Sequence, residues 1–137
     1  MQNIDLVILA GGKGTRIKKF LFGKPKPLIN INKKPFITYI LNHYAKFNFK
    51  KIYILAGYKG NQFKKKYNNR FYNTSKIEVI IEKKPMDTGG ALFPLKKKIK
   101  NDFVLLNGDS ILKLSKIKKL KNNLVYLTKN NIYKFNN

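Results

Sequence analysis

A chain of 137 residues with 43% hydrophobic and 13% aromatic content can bury one core, and a second full domain does not fit. It has no cysteine, which excludes disulfides and thiolate metal sites and leaves oxygen or nitrogen as the donors for any metal. The formal net charge of +24 taken alone points to a polyanion such as nucleic acid or an acidic membrane surface. Against that, only Arg16 and Arg70 among the 30 basic residues are arginine, and Lys, Asn, Ile, Phe and Tyr all have codons rich in A and T. Lysines set by a biased genome scatter over solvated faces, whereas nucleic-acid binders gather Arg and aromatics on one surface, and the scatter here favours genome bias. The N-terminus has no basic n-region, and no apolar stretch approaches the roughly 20 residues that span a bilayer. A soluble, cytoplasmic protein with no membrane partner is the expectation.

In chain order, Ile4 to Ala10 is an apolar run ending at Gly11-Gly12, which reads as a buried, central strand entering a loop that needs glycine. Pro35 opens a stretch in which Phe36, Ile37, Ile40, Leu41, Tyr44 and Phe47 recur at helical spacing. Lys51 to Ala56 predicts a second strand and Asn61 to Tyr67 a short basic helix. Ile77 to Ile81 predicts a third strand, Gly90 to Lys97 a helix despite Pro94, and Phe103 to Leu106 a fourth strand ending at Asn107-Gly108-Asp109. Ser115 can cap a last helix to about Lys121, followed by short strands at Leu124 to Thr128 and Ile132 to Phe135. This alternation implies one Rossmann-like α/β domain over residues 1–137, a mainly parallel sheet with helices on both faces. Ligands of such sheets bind beyond the carboxyl ends of the strands, which would put the Gly11, Gly57 and Asp109 loops on one rim.

The segment Leu9-Ala10-Gly11-Gly12-Lys13-Gly14-Thr15-Arg16 combines three glycines, a hydroxyl and a permanent positive charge, a composition that lets backbone N–H groups approach a polyphosphate. It lacks the spacing of a Walker loop, and Ile17 stands where the dinucleotide fingerprint has its third glycine. A tight strand-to-helix turn with a solvated Arg16 is the plainer alternative. Lys24-Pro25-Lys26-Pro27-Leu28 holds two lysines on a stiff backbone, which lowers the entropy lost when an ammonium docks on phosphate. Asp109 at a strand's end is either a hard oxygen ligand or a helix cap. His43 lies within the amphipathic helix and is given no role.

The order GGxGTR, K-P-L, K-P-F, E-x-x-P-x-x-T-G-G and N-G-D resembles the sugar-phosphate nucleotidyltransferase family over nearly the whole chain. Within it, Lys34-Pro35-Phe36, Glu82-Lys83-Lys84-Pro85 and Thr88-Gly89-Gly90-Ala91 are similar to the guanylyltransferases that act on heptose 1-phosphate. The resemblance implies attack of a sugar 1-phosphate on the α-phosphorus of a nucleoside triphosphate, GTP favoured, with Mg²⁺ and release of pyrophosphate. It also implies that Arg16 and Lys26 bind the phosphates at the catalytic centre and that Leu9, Ala10, Gly11, Gly12, Gly14 and Thr15 surround the nucleotide. Glu82, Gly89 and Gly90 would approach the base and ribose, and Asp109 would hold the metal.

Two positions depart from that pattern: Asp87 stands where a glycine is usual near the nucleoside, and Asn30 replaces a usual proline. Family members are longer, so the sugar-binding part and a second metal-binding Asp are expected to be missing through C-terminal truncation. A nucleotide-binding fragment without turnover and a basic nucleic-acid-binding protein are the alternative readings. An uncovered apolar sheet surface would favour a homodimer.

Overall fold

The structure, a computed structural model, describes residues 3–84, 88–100, 102–111, 124–126 and 132–134. Its centre is a five-stranded sheet. The strands are β1 (Asp5–Ala10), β4 (Lys51–Ala56), β5 (Phe71–Tyr72), β6 (Ser75–Ile81) and β7 (Phe103–Asn107), in the order β5-β6-β4-β1-β7. β1 pairs in parallel with β4 and β7, β4 pairs in parallel with β6, and only β5 runs antiparallel, as the first arm of a hairpin with β6. β4 holds the middle position and β1 lies one strand away, between β4 and β7. The expectation of β1 as central strand is corrected accordingly: an apolar run signals burial on both faces, which several strands of a parallel sheet share.

Alternating side chains of these strands feed two cores. Leu6, Ile8 and Ala10 of β1, Ile52, Ile54 and Ala56 of β4, and Ile77 and Val79 of β6 face one cluster. Helix α1 (Phe36–Tyr44) adds Ile37, Ile40, Leu41 and Tyr44 to that cluster, and helix α2 (Gly60–Tyr67) adds Phe63 and Tyr67. Val7, Tyr53 and Leu55 point to the opposite face, where they meet Ala91 of the short helix α3 (Thr88–Ala91) and Leu95. Helices therefore cover both faces, as the β/α alternation implies.

Some boundaries differ from expectation for identifiable reasons. The helix expected over Gly90 to Lys97 breaks into α3 and a 3₁₀ turn at Phe93–Leu95, because Pro94 lacks the N–H that would continue it. The helix expected from Pro35 to Phe47 begins at Phe36, with Pro35 outside it as N-cap, and tightens into a 3₁₀ turn at Ala45–Phe47. Two-residue strands β2 (Asn30–Ile31) and β3 (Lys34–Pro35) form a small hairpin that leads into α1. The last strands are β8 (Leu124–Tyr126) and β9 (Ile132–Lys134), an antiparallel pair. The helix expected from Ser115 to Lys121 lies outside the described residues. No helix among the described residues is long and apolar enough to cross a membrane.

One ionic contact ties a cover segment to the sheet. Glu78 of β6 accepts hydrogen bonds from Lys51 of β4 at 2.5 Å and from Lys98 at 2.6 Å. Partial burial pushes its carboxyl up, but the two lysines outweigh burial and hold it below the usual carboxylate value. A depressed folded pKa contributes stability at neutral pH that disappears as pH falls through that value. Glu78→Gln is expected to lower stability at pH 7 by roughly 1 kcal/mol or less, and by a smaller margin near pH 3, in urea melts at the two pH values.

Candidate active site

The loops leaving β1, β4 and β7 meet at the carboxyl ends of the parallel strands. Two backbone hydrogen bonds lace them: Tyr58 N–H donates to the Gly11 carbonyl at 3.3 Å and Gly108 N–H to the Leu9 carbonyl at 2.7 Å. The approach is close enough that a Cβ on residue 57 would lie 2.7 Å from the Gly11 carbonyl oxygen, so only glycine fits there.

Beyond Gly11 and Gly12 the chain turns through Gly14 at φ 61, in the left-handed region. It then enters a 3₁₀ segment, Thr15–Phe20, whose first bond runs from Ile17 N–H to the Gly14 carbonyl at 3.1 Å. Leu21, 2% exposed, anchors this segment under the loop; a Cβ on residue 14 would stand 2.8 Å from its Cδ1. The loop is thereby held against the domain while Thr15 and Arg16 stay exposed on its outer side.

Lys26 begins a 3₁₀ turn, Lys26–Leu28, between buried Pro25 and buried Pro27. Its backbone is pinned while its side chain reaches across to the loop after β7, where Nζ meets Asp109 Oδ2 at 2.8 Å. The Lys26 hydrogen bond is the main cause of an Asp109 carboxyl held below its usual value, against a smaller opposing effect of burial. Ser110 Oγ donates to the other carboxylate oxygen at 3.1 Å.

Glu82 follows β6 and its backbone N–H donates to the Ala56 carbonyl at 2.8 Å. Its carboxylate lies beside the glycines, since a Cβ on residue 11 would come within 2.9 Å of Oε2 and one on residue 57 within 3.1 Å. Burial raises its pKa above the ordinary value.

These segments enclose a cleft of about 920 Å³. Leu9, Ala10, Gly11, Gly12, Gly14, Thr15, Arg16, Lys26, Glu82 and Asp109 all line it, so ten of the residues singled out from the sequence share one cavity. Gly89 and Gly90 lie in α3, and the described lining residues do not include them, although the next residue, Ala91, does line the cleft. Gly57, Tyr58 and Asn107 line it as well. The signal for Gly57 was a glycine directly after an apolar strand, and Asn107 belonged to the N-G-D run. Tyr58 carried no signal of its own, because a tyrosine after a strand is usually packing.

Chemically the cleft is lined by glycine-rich backbone, by three cations, Lys13, Arg16 and Lys26, and by two carboxylates, Asp109 and a partly buried Glu82 beside Gly11. That suits a ligand with a polyanionic end and a hydrogen-bond-donating end. Among the described residues no group of three or more His, Cys, Asp and Glu could hold a metal ion. Asp109 alone fits a hard divalent cation, provided that ligand phosphates and water complete the shell.

The nucleotidyl transferase family model matches residues 6–134. The chain is 39% identical over 117 residues to the D-glycero-alpha-D-manno-heptose 1-phosphate guanylyltransferase of Campylobacter jejuni, a match covering 84% of this chain and 52% of that protein. It is 40% identical over 108 residues to the bifunctional protein GlmU of Methanococcus maripaludis, covering 79% of this chain and 25% of that one. Among solved structures, HddC from Yersinia pseudotuberculosis complexed with GMP-PN superposes with a TM-score of 0.67 at 34% identity, over 77% of this chain and 48% of that chain. The chain thus spans about half the length, or less, of these relatives. With the match running from the first residues of β1 to the end of β9, the chain belongs to the nucleotidyl transferase family.

Proposed function

We propose that this chain forms the nucleotide-handling part of an enzyme that transfers a nucleotidyl group from a nucleoside triphosphate to a sugar 1-phosphate. The observation that supports this reading best is the convergence of the Gly11 to Arg16 loop, Lys26, Glu82 and Asp109 on a single cleft at the carboxyl rim of the sheet.

In the proposed reaction a phosphate oxygen of the sugar 1-phosphate attacks the α-phosphorus in line. The bond to the bridging oxygen breaks and pyrophosphate leaves with the negative charge. No protein nucleophile is needed, so the work of the chain is positioning and charge neutralisation. Backbone N–H groups at Gly11, Gly12 and Gly14 face the triphosphate, with Leu9, Ala10 and Thr15 forming the adjoining wall. Arg16 and Lys26 neutralise phosphate charge, and Arg16 offers a two-pronged donor that lysine lacks. Asp109 would hold Mg²⁺, which when bound offsets charge on the phosphates. Gly89 and Gly90, next to Ala91, would sit toward the nucleoside.

GTP is the preferred triphosphate in this reading. The Campylobacter and Yersinia relatives are, by name or bound ligand, guanine-nucleotide proteins. Independently, a partly buried carboxylate such as Glu82 suits guanine, which presents two N–H donors side by side. The remaining partners follow the same reading: the sugar 1-phosphate as co-substrate, a cytoplasmic location where both substrates occur, and a homodimer. Self-association is supported by Phe103 and Leu105, exposed at 43% and 38% on β7, an edge strand among the described residues.

Two measurements test this. In thermal melts with saturating GTP and Mg²⁺, the wild type is expected to gain roughly 2.7 kcal/mol at about a hundred times the dissociation constant, and Arg16→Ala to lose most of that gain. Equal shifts by all triphosphates regardless of Arg16 would indicate non-specific polyanion binding, the behaviour of a basic nucleic-acid-binding surface.

The second concerns Glu82. Its carboxyl group can accept from both guanine N–H donors only when ionised, so GTP affinity is expected to fall as pH drops through the raised Glu82 pKa. Glu82→Gln is expected to weaken GTP binding by roughly ten- to a hundredfold at pH 7.5 and to abolish that pH dependence in calorimetric titrations.

A further inference from the structure

We propose that the Lys26–Asp109 ion pair is an internal stopper, which keeps a divalent cation off Asp109 until a nucleotide's phosphates draw Lys26 away. The inference rests on the nucleotide-site reading and adds an order to it: cation binding follows, and depends on, the arrival of the triphosphate.

The geometry carries the argument. Lys26 Nζ lies 2.8 Å from Asp109 Oδ2, and Ser110 Oγ donates to Oδ1, so both carboxylate oxygens already have donors. A carboxylate has lone pairs enough for both, but an ammonium 2.8 Å from Oδ2 repels a divalent cation brought to either oxygen of the same group. Cation binding is therefore weakened while the ion pair stands. The two side chains are 42% and 39% exposed, which leaves the lysine room to move, while Pro25 and Pro27 fix only its backbone. Its four-carbon stem can redirect the charge without any change of fold.

The surroundings set the direction of the exchange. Lys13 and Arg16 line the same cleft and give it a positive potential that disfavours a bare cation. A triphosphate reverses this twice over: it neutralises the cleft, and it offers Lys26 several anionic oxygens in place of one carboxylate. Asp109 is then released at the moment when phosphate oxygens are present to complete a metal shell that the chain alone does not supply. By linkage, the cation must favour nucleotide binding by the same factor.

The test uses Mn²⁺ alone as the probe, with free Mn²⁺ followed by electron paramagnetic resonance in the absence of nucleotide. Wild type is expected to bind weakly, and Lys26→Gln to bind about three- to fivefold more tightly, the upper part of the range expected from freeing a partly exposed carboxylate of its ion pair. The gain should vanish in the double variant Lys26→Gln/Asp109→Asn. Lys24→Gln, which removes the same charge two residues away, should change Mn²⁺ affinity by less than about twofold, since an exposed charge at that remove is screened by solvent and salt. Circular dichroism melts establish that each variant is folded. Mn²⁺ affinity unchanged by Lys26→Gln, or raised equally by Lys24→Gln, overturns the stopper. A separate arm, GTP stabilisation of wild type in Mg²⁺ and in EDTA, tests the nucleotide site itself: failure in both overturns the reading beneath the proposal, whatever Mn²⁺ does, and stabilisation only with Mg²⁺ overturns the order in which nucleotide comes first.

Discussion

The close lacing of three strand ends is the constraint from which the rest of this structure follows. β1, β4 and β7 run in parallel and finish level, and their exits are bonded to each other through Gly11, Tyr58, Leu9 and Gly108 backbone atoms. Backbone groups come this close only where a side chain is missing, and at residue 57 a single Cβ would collide with the neighbouring loop. The rim is therefore lined by main chain at its centre and by side chains only around its edge. A ligand with a dense cluster of acceptors fits that arrangement better than an apolar one.

The sheet and its two cores supply the rigidity the rim requires. Alternation along β1 and β4 sends Ile8 and Ile54 to the α1 and α2 face and Val7 and Leu55 to the α3 face, so the strands are gripped from both sides. Leu21 and the two prolines beside Lys26 extend that grip to the loops. The charged ends of Arg16, Lys26 and Asp109 remain partly in water, where they can respond to what enters the cleft.

Much of this was legible from the residues. The apolar runs at Ile4 and Lys51 found β1 and β4 because burial on both faces leaves an unbroken hydrophobic signature, and similar runs at Ile77 and Phe103 found their parallel neighbours β6 and β7. The glycine-rich loop and the lysine between two prolines stood out by composition, whereas the roles expected of Glu82 and Asp109 came from the resemblance of the whole motif order to a known family. Strand order was not legible, since parallel strands pair through distant crossovers and nothing local distinguishes a middle strand from its neighbour. The two-residue strands were too short for any periodicity, and the break at Pro94 was underrated against the apolar spacing around it. The contact between Lys26 and Asp109 was also out of reach: 83 residues separate them, and one was read as a ligand of phosphate and the other as a ligand of a metal rather than of each other.

The central claim is that one nucleotide site spans all three strand ends. A titration of the ¹⁵N-labelled chain with GTP, followed through its backbone amide resonances, tests it most directly. The account predicts that amides of Gly11 to Arg16, Gly57, Tyr58, Glu82 and Asp109 shift together along one binding curve. Shifts scattered over the lysine-bearing surface, or confined to one of these loops while the others stay still, would contradict it.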